Sequence, residues 1–471
     1  MISVQLAVIG GGPGGYAAAF LAADLGLTVA IVDPEVNPGG VCVYRGCIPS
    51  KALLHVAKVI SEARHAGAWG VQFGEPTIDL VKLRAFKEQV VGRLTGGTGQ
   101  LVKYRKVVYL RGMAEIVDPH HLRVTLKDGG EEQVQFDHGV LATGSRPSRV
   151  PGLSIDSPRV WDSTSALDLP EVPKSLLVVG GGYIGLELGT VYATLGSEVT
   201  IVEMTQGLLP GADRDLVDVL AKRVGKIAKA VLLNTKVARM TDTPAGVRVA
   251  LEGADGGTTE QVFDRVLVSI GRRPNSDIPG LDRTAVQVDA RGFITVDAQR
   301  RTHEPSIFAI GDVVGEPMLA HKASHEGRTA VEAIVGEHVA FEPLAIPAVV
   351  YTDPELAWCG LTETQAASEK RPITVAKFPW GASGRAISID RTDGLSKLLL
   401  DPDTGRVLGV GIVGSGAGEL IAEGVLAIEM GATATDMKLT IHPHPTLTET
   451  LMESAEVFFG QATHVYRPKK K

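Results

Sequence analysis

The apolar stretch Val4-Gln-Leu-Ala-Val-Ile9 runs straight into Gly10-Gly-Gly12-Pro-Gly-Gly15 and then into an alanine-rich segment ending near Leu25. The same grammar returns at Ser175-Leu-Leu-Val-Val179, followed by Gly180-Gly-Gly182-Tyr-Ile-Gly185. Strand, glycine turn and helix together form the context in which this spacing binds a dinucleotide. The first glycine permits the tight turn, the second lets a pyrophosphate approach the backbone, and the third lets helix and strand pack closely. A second strand in each unit, Thr28-Val-Ala-Ile-Val32 and Glu198-Val-Thr-Ile-Val202, ends at Asp33 and at Glu203, carboxylates placed to accept hydrogen bonds from an adenosine ribose. At Glu203 that carboxylate also repels the extra phosphate of NADP, and no basic residue follows until Arg214, so the second ligand is read as NAD. Each unit continues into a hairpin-like β segment, with turns at Asp128-Gly-Gly130 and Asp255-Gly-Gly257. Each then ends in a Gly-x-Arg-Pro element, Gly144-Ser-Arg-Pro147 or Gly271-Arg-Arg-Pro274. This duplication predicts an α/β chain with two Rossmann-like modules that bind different ligands.

A length of 471 residues leaves room for about three domains. The boundaries read from the motifs are 1–150, 151–270, a central segment 271–344, and a C-terminal α+β unit 345–471. Lys and Arg total 47 against 54 Asp and Glu, a formal charge of −7, and no basic stripe points to nucleic acid. The terminal Arg467-Pro-Lys-Lys-Lys471 reads as a solvated tail. No basic residue precedes Arg45, so a secretory or transit segment is not expected, and no apolar run is long enough to span a bilayer. No metal-ligand pattern stands out, and the default location is the cytoplasm.

The three cysteines exclude a disulfide scaffold. Two of them, Cys42 and Cys47, lie in Gly40-Val-Cys-Val-Tyr-Arg-Gly-Cys-Ile-Pro-Ser-Lys51. A bridge closing so short a loop would contribute only about 2 kcal/mol of stability, which favours a chemical purpose over a structural one. Pro49 suits the first turn of a helix, and Leu53, Val56, Ala57 and Ile60 follow at helical spacing. A thiolate at a helix N-terminus is stabilised by free N–H groups and the macrodipole, which can bring a cysteine pKa to roughly 3.5–7.5. Spacing alone leaves two readings open, a redox pair or two unlinked buried thiols.

These residues, with Ala142-Thr-Gly144, Ile307-Phe-Ala-Ile-Gly-Asp312 and His442-Pro-His-Pro-Thr-Leu-Thr-Glu449, make the chain resemble the flavin-dependent pyridine nucleotide–disulfide oxidoreductases, and among them the lipoamide dehydrogenases. The resemblance spans essentially the whole chain. It implies that the first module binds FAD through Gly10, Gly12, Gly15, Asp33, Thr143 and Gly144, with Asp312 on a ribityl hydroxyl. A helix start near Ala320 would face the flavin pyrimidine edge, where the helix dipole favours the charge of reduced flavin. His321 and Lys322 match the lipoamide-enzyme version of that segment, although both could equally be a solvated helix start. In the second module Gly180, Gly182, Gly185, Glu203 and Gly271 would hold NAD. The family pairs Lys51 with Glu187 near the flavin. Tyr183 stands where some relatives carry a tyrosine that covers the flavin, and a plain packing role is equally compatible with its position.

His444-Pro-Thr-Leu-Thr-Glu449 offers a base for a thiol substrate. Pro445 drives His444 out of helical geometry and can begin the next helix, and Glu449 can then reach back to fix the imidazole tautomer. His442 is adjacent, but the family motif places catalysis on His444. In the family the C-terminal unit forms a homodimer and delivers this pair to the cysteines of the other subunit. The implied reaction is oxidation of a dihydrolipoyl dithiol by Cys42 and Cys47, with hydride passing through FAD to NAD. No lipoyl domain precedes Gly10, so the lipoyl group is expected on an acyltransferase or carrier protein of a multienzyme complex.

The chain departs from the pattern at Tyr44, where the family commonly has Asn, which puts local packing and substrate approach in question, and at Asp33, where Glu is more usual. Cys359 reads as a buried third thiol. A glutathione reductase would carry basic residues after the Glu203 position, and a mercuric reductase a C-terminal cysteine pair, whereas no cysteine follows Cys359. A non-catalytic flavoprotein would have no use for the Cys–Cys, His–Glu and Lys–Glu sets together.

Overall fold

Ile2–Ile9 is the central strand of the first sheet, with Val29–Asp33 on one side and Glu131–Leu141 on the other, all three parallel. Every residue of Val29–Asp33 is buried, as a parallel strand covered on both faces requires. Val108–Asp118 extends the sheet and folds back through His121–Leu126 into Glu131–Leu141, whose outer half alternates between buried and exposed positions in the manner of a half-solvated hairpin. The short strand Ile307–Ala309 then returns to pair with Glu131–Leu141, and helix Ala320–Ile334 packs on helix Pro13–Asp24. The computed structural model describes residues 1–153 and 155–466. The proposed basic tail, Arg467 to Lys471, lies outside them.

The second sheet is five parallel strands in the order Ala230–Leu232, Glu198–Val202, Ser175–Val179, Arg265–Val268 and Val160–Trp161. A three-stranded antiparallel sheet, Lys236–Thr243, Gly246–Glu252 and Thr258–Phe263, sits beside it, with its second turn at the Asp255 glycines. The two Gly-x-Arg-Pro elements of the repeat meet each other: Ser145–Pro147 and Arg272–Pro274 form an antiparallel pair that ties the two units together. The third sheet is antiparallel, with Ala348–Val350, Glu355–Gly360, Val407–Gly414, Leu395–Leu400 and Thr374–Pro379 in that order, and helices Ala417–Glu429 and Glu449–Phe458 pack against it. The chain is thus an α/β molecule with two Rossmann-like units and a C-terminal α+β unit.

One core joins all three regions at the site. Leu53 and Leu54 of helix Cys47–His65 pack with Leu188 and Val191 of helix Tyr183–Leu195 and with Leu356 and Val413 of the C-terminal sheet. Each fully buried aliphatic side chain of this kind contributes about 1.5–3 kcal/mol. Helix Cys47–His65 is therefore fixed against both neighbours. Cys359 is 1% exposed, and burial pushes its thiol up to about 12, so it is inert.

The expectation that the last helix begins at Pro445 is corrected: it begins at Glu449. Residues 443–448 are held instead as a loop. Thr446 donates its hydroxyl to Pro443 O at 2.7 Å and its N–H to Glu449 Oε2 at 2.8 Å, so the backbone groups that would start a helix are already engaged. Helix Ala434–Leu439, with its Thr433 capping box, was not anticipated from the sequence.

Candidate active site

The two glycine loops are built on the same plan. Gly10 has φ +108° and Gly180 φ +106°, left-handed values that a side chain would strain. A Cβ on Gly15 would fall 1.9 Å from Gly10 O, and one on Gly185 2.2 Å from Gly180 O, so each helix touches its own turn. In the first unit Asp33 accepts the Gly11 N–H at 2.6 Å and the Glu35 N–H at 2.9 Å. In the second, Glu203 accepts the Gly181 N–H at 2.7 Å and the Thr205 N–H at 2.8 Å. Burial pushes the Asp33 carboxyl up, and these N–H groups only partly offset it.

A cavity of about 520 Å³ opens on the first loop. It is lined by Gly10, Gly12 and Gly15, by Asp312 and Ala320, and by Cys42, Cys47 and Lys51. Asp33, Thr143 and Gly144 also line it, and the second unit contributes Tyr183, Ile184 and Glu187. None of Gly180, Gly182, Gly185, Glu203 and Gly271 lines this cavity: the three glycines form the separate loop of the second unit, Glu203 follows strand Glu198–Val202, and Gly271 precedes Arg272–Pro274. His444 and Glu449 do not line it either.

Cys42 lies on the short helix Gly40–Arg45, and Cys47 opens helix Cys47–His65, with Pro49 in its first turn as expected. Both are free thiols, Cys42 half-buried and Cys47 exposed to the cavity. Their environments drive them apart. The thiol of Cys42 hydrogen-bonds to Cys47, which holds Cys42 up as a thiol, and burial adds to the effect. The same bond, aided by the Lys51 ammonium and opposed by burial, brings Cys47 down to about 7. Cys47 is the thiolate of the pair.

Lys51 Nζ meets Glu187 Oε2 at 2.8 Å, with the glutamate side chain 4% exposed. The Tyr351 N–H donates to the other Glu187 oxygen at 3.0 Å, and Lys51 Nζ lies 4.4 Å from the centre of the Tyr351 ring. Tyr183 is 41% exposed on the same wall. Thr143 and Gly144 are held by Asn275, whose side chain donates to Thr143 O at 2.9 Å and whose N–H donates to Gly144 O at 2.9 Å.

Several residues here escaped the sequence reading. Ser145 donates to Asp312 Oδ2 at 2.5 Å and accepts from Arg272 Nε at 2.7 Å, which links the two Gly-x-Arg-Pro elements to the cavity. Both lie inside the repeated motif, and its recurrence was the available signal. Glu326, fully buried, accepts the Gly311 N–H at 2.6 Å and pairs with Arg300 and Lys322, each at 3.0 Å. Lys322 is thus a buried ion-pair partner, whereas His321 donates its Nε2–H to Pro347 O at 2.8 Å. The Tyr44 hydroxyl bonds the backbone of Asn37, which fixes its local packing.

His444 projects from its loop with its side chain 74% exposed, and its Nδ1 lies 2.9 Å from Glu449 Oε1. Burial pushes the Glu449 carboxyl up, but the Thr446 N–H and the His444 ring outweigh it and hold the group below the ordinary range. His442 has its own carboxylate, Glu423, at 2.7 Å, and its other nitrogen is taken by Thr440 O at 2.9 Å, so no ring nitrogen is left for substrate. The carboxylates Asp213, Asp215 and Glu363 converge elsewhere in the fold. Lys397 fills that cluster, at 2.7, 2.8 and 2.6 Å from the three.

The pyridine nucleotide–disulphide oxidoreductase family matches residues 4–327, and its dimerisation domain matches residues 346–455. The chain belongs to this family. It is 51% identical over 470 residues to a dihydrolipoyl dehydrogenase of Haemophilus influenzae, covering 100% of this chain and 98% of that one. It is 46% identical to the dihydrolipoyl dehydrogenase of Geobacillus stearothermophilus, over 98% of each chain. Among solved structures, LpdA from Mycobacterium tuberculosis superposes with a TM-score of 0.88 at 29% identity, covering 96% of this chain and 99% of that one. The HOCl-induced flavoprotein disulfide reductase RclA from Escherichia coli gives 0.87 at 28%, covering 97% and 100%.

Proposed function

We propose that the chain acts as a dihydrolipoyl dehydrogenase, oxidising a dihydrolipoyl dithiol at Cys42 and Cys47 with FAD as its bound cofactor and NAD as the final acceptor. The observation that carries this is the pairing of Cys42 as thiol with Cys47 as thiolate on the wall of a cavity floored by a dinucleotide loop. The cavity fits FAD. A Cβ on Gly40 would fall 2.6 Å from Gly12 Cα, so only glycine leaves the loop open there, and Asp33 and Asp312 offer carboxylates for sugar hydroxyls. The N-terminus of helix Ala320–Ile334 supplies a positive end. Bound there, FAD supplies the two-electron chemistry between thiolate and nicotinamide that no side chain provides. We assign NAD to the second loop, with Gly180, Gly182 and Gly185 at the pyrophosphate, Glu203 at the ribose, and Gly271 nearby.

His444 takes the proton of the first substrate thiol at Nε2, because Glu449 occupies Nδ1 and fixes the tautomer. The resulting thiolate attacks Cys42 Sγ of the oxidised pair. The Cys42–Cys47 bond breaks, and Cys47 leaves as a thiolate beside Lys51. The second substrate thiol then attacks the mixed disulfide, closing the substrate disulfide and returning Cys42 as a thiol. Two electrons pass from dithiol to disulfide, and sulfur is conserved. Glu187 holds Lys51 in place for this charge, and Tyr183 stands on the cavity wall between the two cofactor sites.

His444 is exposed and does not line the cavity of its own chain, which supports its delivery by a second copy in a homodimer built on the C-terminal unit. Residues 1–150 are assigned to FAD, 151–270 to NAD, 271–344 to completion of the FAD site, and 345–471 to the dimer interface. The lipoyl group is carried by an acyltransferase or carrier protein of a multienzyme complex. A dithiol pair of this kind works in the reducing cytoplasm, and no helix among the described residues is long and apolar enough to cross a membrane. The test is steady-state NAD reduction by dihydrolipoamide with FAD-loaded protein, run beside NADP and beside reduced glutathione. Turnover with dihydrolipoamide and NAD alone is expected. No turnover despite bound FAD and a reducible disulfide would overturn the substrate assignment.

A further inference from the structure

Residues 34–39 join Asp33 to the helix that carries Cys42, and they have no helix or strand of their own to hold them. The backbone of this turn is gripped from four sides. The Gly39 N–H donates to Gly11 O at 2.7 Å, on the glycine loop. Thr98 donates to Pro38 O at 2.6 Å from helix Leu80–Tyr104. Tyr109 donates to Glu35 O at 3.2 Å from strand Val108–Asp118. The fourth side is the segment between the redox cysteines. There the Tyr44 hydroxyl accepts the Asn37 N–H at 3.2 Å and donates to Asn37 O at 3.0 Å, while Arg45 pairs with Glu35. Glu35 in turn gives its N–H to Asp33 Oδ1 at 2.9 Å. Asp33, Glu35 and Arg45 all line the cavity.

We propose that Tyr44 and Arg45 are positioning residues of the FAD site, holding the 35–37 turn, and through it the Asp33 carboxylate, ready for the cofactor's adenosine ribose. The inference rests on the assignment of this cavity to FAD. A carboxylate already fixed by its neighbours loses little freedom when ligand binds, and a loosened turn must be ordered at the expense of affinity. Neither side chain bonds Cys47, Lys51 or Glu187, so the effect is confined to the adenosine end.

The experiment follows FAD release from the diluted holoenzyme by flavin fluorescence, in wild type, Tyr44→Phe, Arg45→Ala and the double variant. Loss of the two neutral hydrogen bonds of Tyr44 and one part-buried ion pair should weaken FAD retention about tenfold in the double variant, with the single variants between. Arg45→Lys, which keeps the charge, should recover most of the loss. The pH midpoint for alkylation of Cys47 in the reduced enzyme and the KM for NAD should stay at the wild-type values. Unchanged FAD release in the double variant would overturn the proposal. So would faster release accompanied by a displaced Cys47 midpoint, because that pattern marks general loosening of the redox segment. A wild-type protein that holds no FAD at all would overturn the cofactor assignment itself, and this inference with it.

Discussion

The two dinucleotide units place a carboxylate in the same hydrogen-bonded frame and use it in different surroundings. Asp33 and Glu203 are 6% and 7% exposed, accepting from the N–H of Gly11 and Gly181 respectively and from the N–H two residues beyond the carboxylate itself. The difference begins inside the glycine motif, at Pro13-Gly14 against Tyr183-Ile184. A Cβ on Gly14 would lie 2.9 Å from Ala323 O, because helix Ala320–Ile334 packs on this face, and Gly40 closes over Gly12 from the redox segment. Nothing among the described residues lies within 4 Å of a Cβ placed on Gly182, and Met204 beside Glu203 is 73% exposed. Tyr183 and Ile184 are turned to another use, as part of the wall of the first unit's cavity. On the proposed assignment of FAD to the first unit and NAD to the second, one supersecondary plan serves a retained ligand and an exchanging one. What separates them is the enclosure contributed by distant parts of the chain.

The sharpest way to break this comparison is to remove chemistry from the enclosed unit while leaving its binding intact. Cys47→Ser should lower dihydrolipoamide-dependent NAD reduction at least about 10⁴-fold, since the pair acts as a unit and neither member suffices. FAD content and the KM for NADH should remain at wild-type levels, with flavin absorbance and NADH oxidation by a one-electron acceptor as the readouts. Substantial turnover by this variant would remove the disulfide from the mechanism. At the open unit, Glu203→Gln keeps the reach of the side chain but removes its charge. Charge-assisted bonds of about 1.5–3 kcal/mol should be weakened, raising the KM for NAD about 10- to 100-fold with FAD retention unchanged. Equal losses of FAD and NAD would show that the two units are not separable.

The duplicated loops, the carboxylates at the strand ends and the β turns were legible because each depends on residues adjacent in sequence. Enclosure was harder to read, because it is built from residues far apart. Ser145 and Asp312 are 167 positions apart, and Lys51 and Glu187 136. The latter pair was anticipated only through family resemblance. Lys397 shows the limit most plainly. It sits in an apolar strand with its side chain 1% exposed, and the carboxylates that compensate it, Asp213, Asp215 and Glu363, come from elsewhere in the chain. Removing such a partner typically costs about 3–5 kcal/mol, yet nothing near Lys397 in the sequence announces it. Pro445 misled for a local reason, since the Thr446 and Glu449 bonds favour a loop over an immediate helix start.

The smallest effect concerns charge on the wall that both units share. With Cys47 down at about 7, its thiolate fraction rises with pH through neutrality, whereas an ordinary thiol near 8.5 would be mostly protonated there. Iodoacetamide alkylation of the reduced enzyme should therefore speed up about tenfold between pH 6 and pH 8, and Cys47 should be the labelled residue on peptide mapping. Cys42 should react later, because its hydrogen bond to Cys47 and its burial hold it as a thiol. Lys51→Met removes the ammonium that favours the thiolate, so its profile should move to higher pH. Glu187→Gln removes a negative charge that opposes the Cys47 thiolate, but it also unties Lys51. If the second unit acts on this wall mainly by anchoring that lysine, Glu187→Gln should move the profile upward as well. A downward displacement would mean that the glutamate is felt chiefly as a charge, and that the second unit restrains the first one's thiolate.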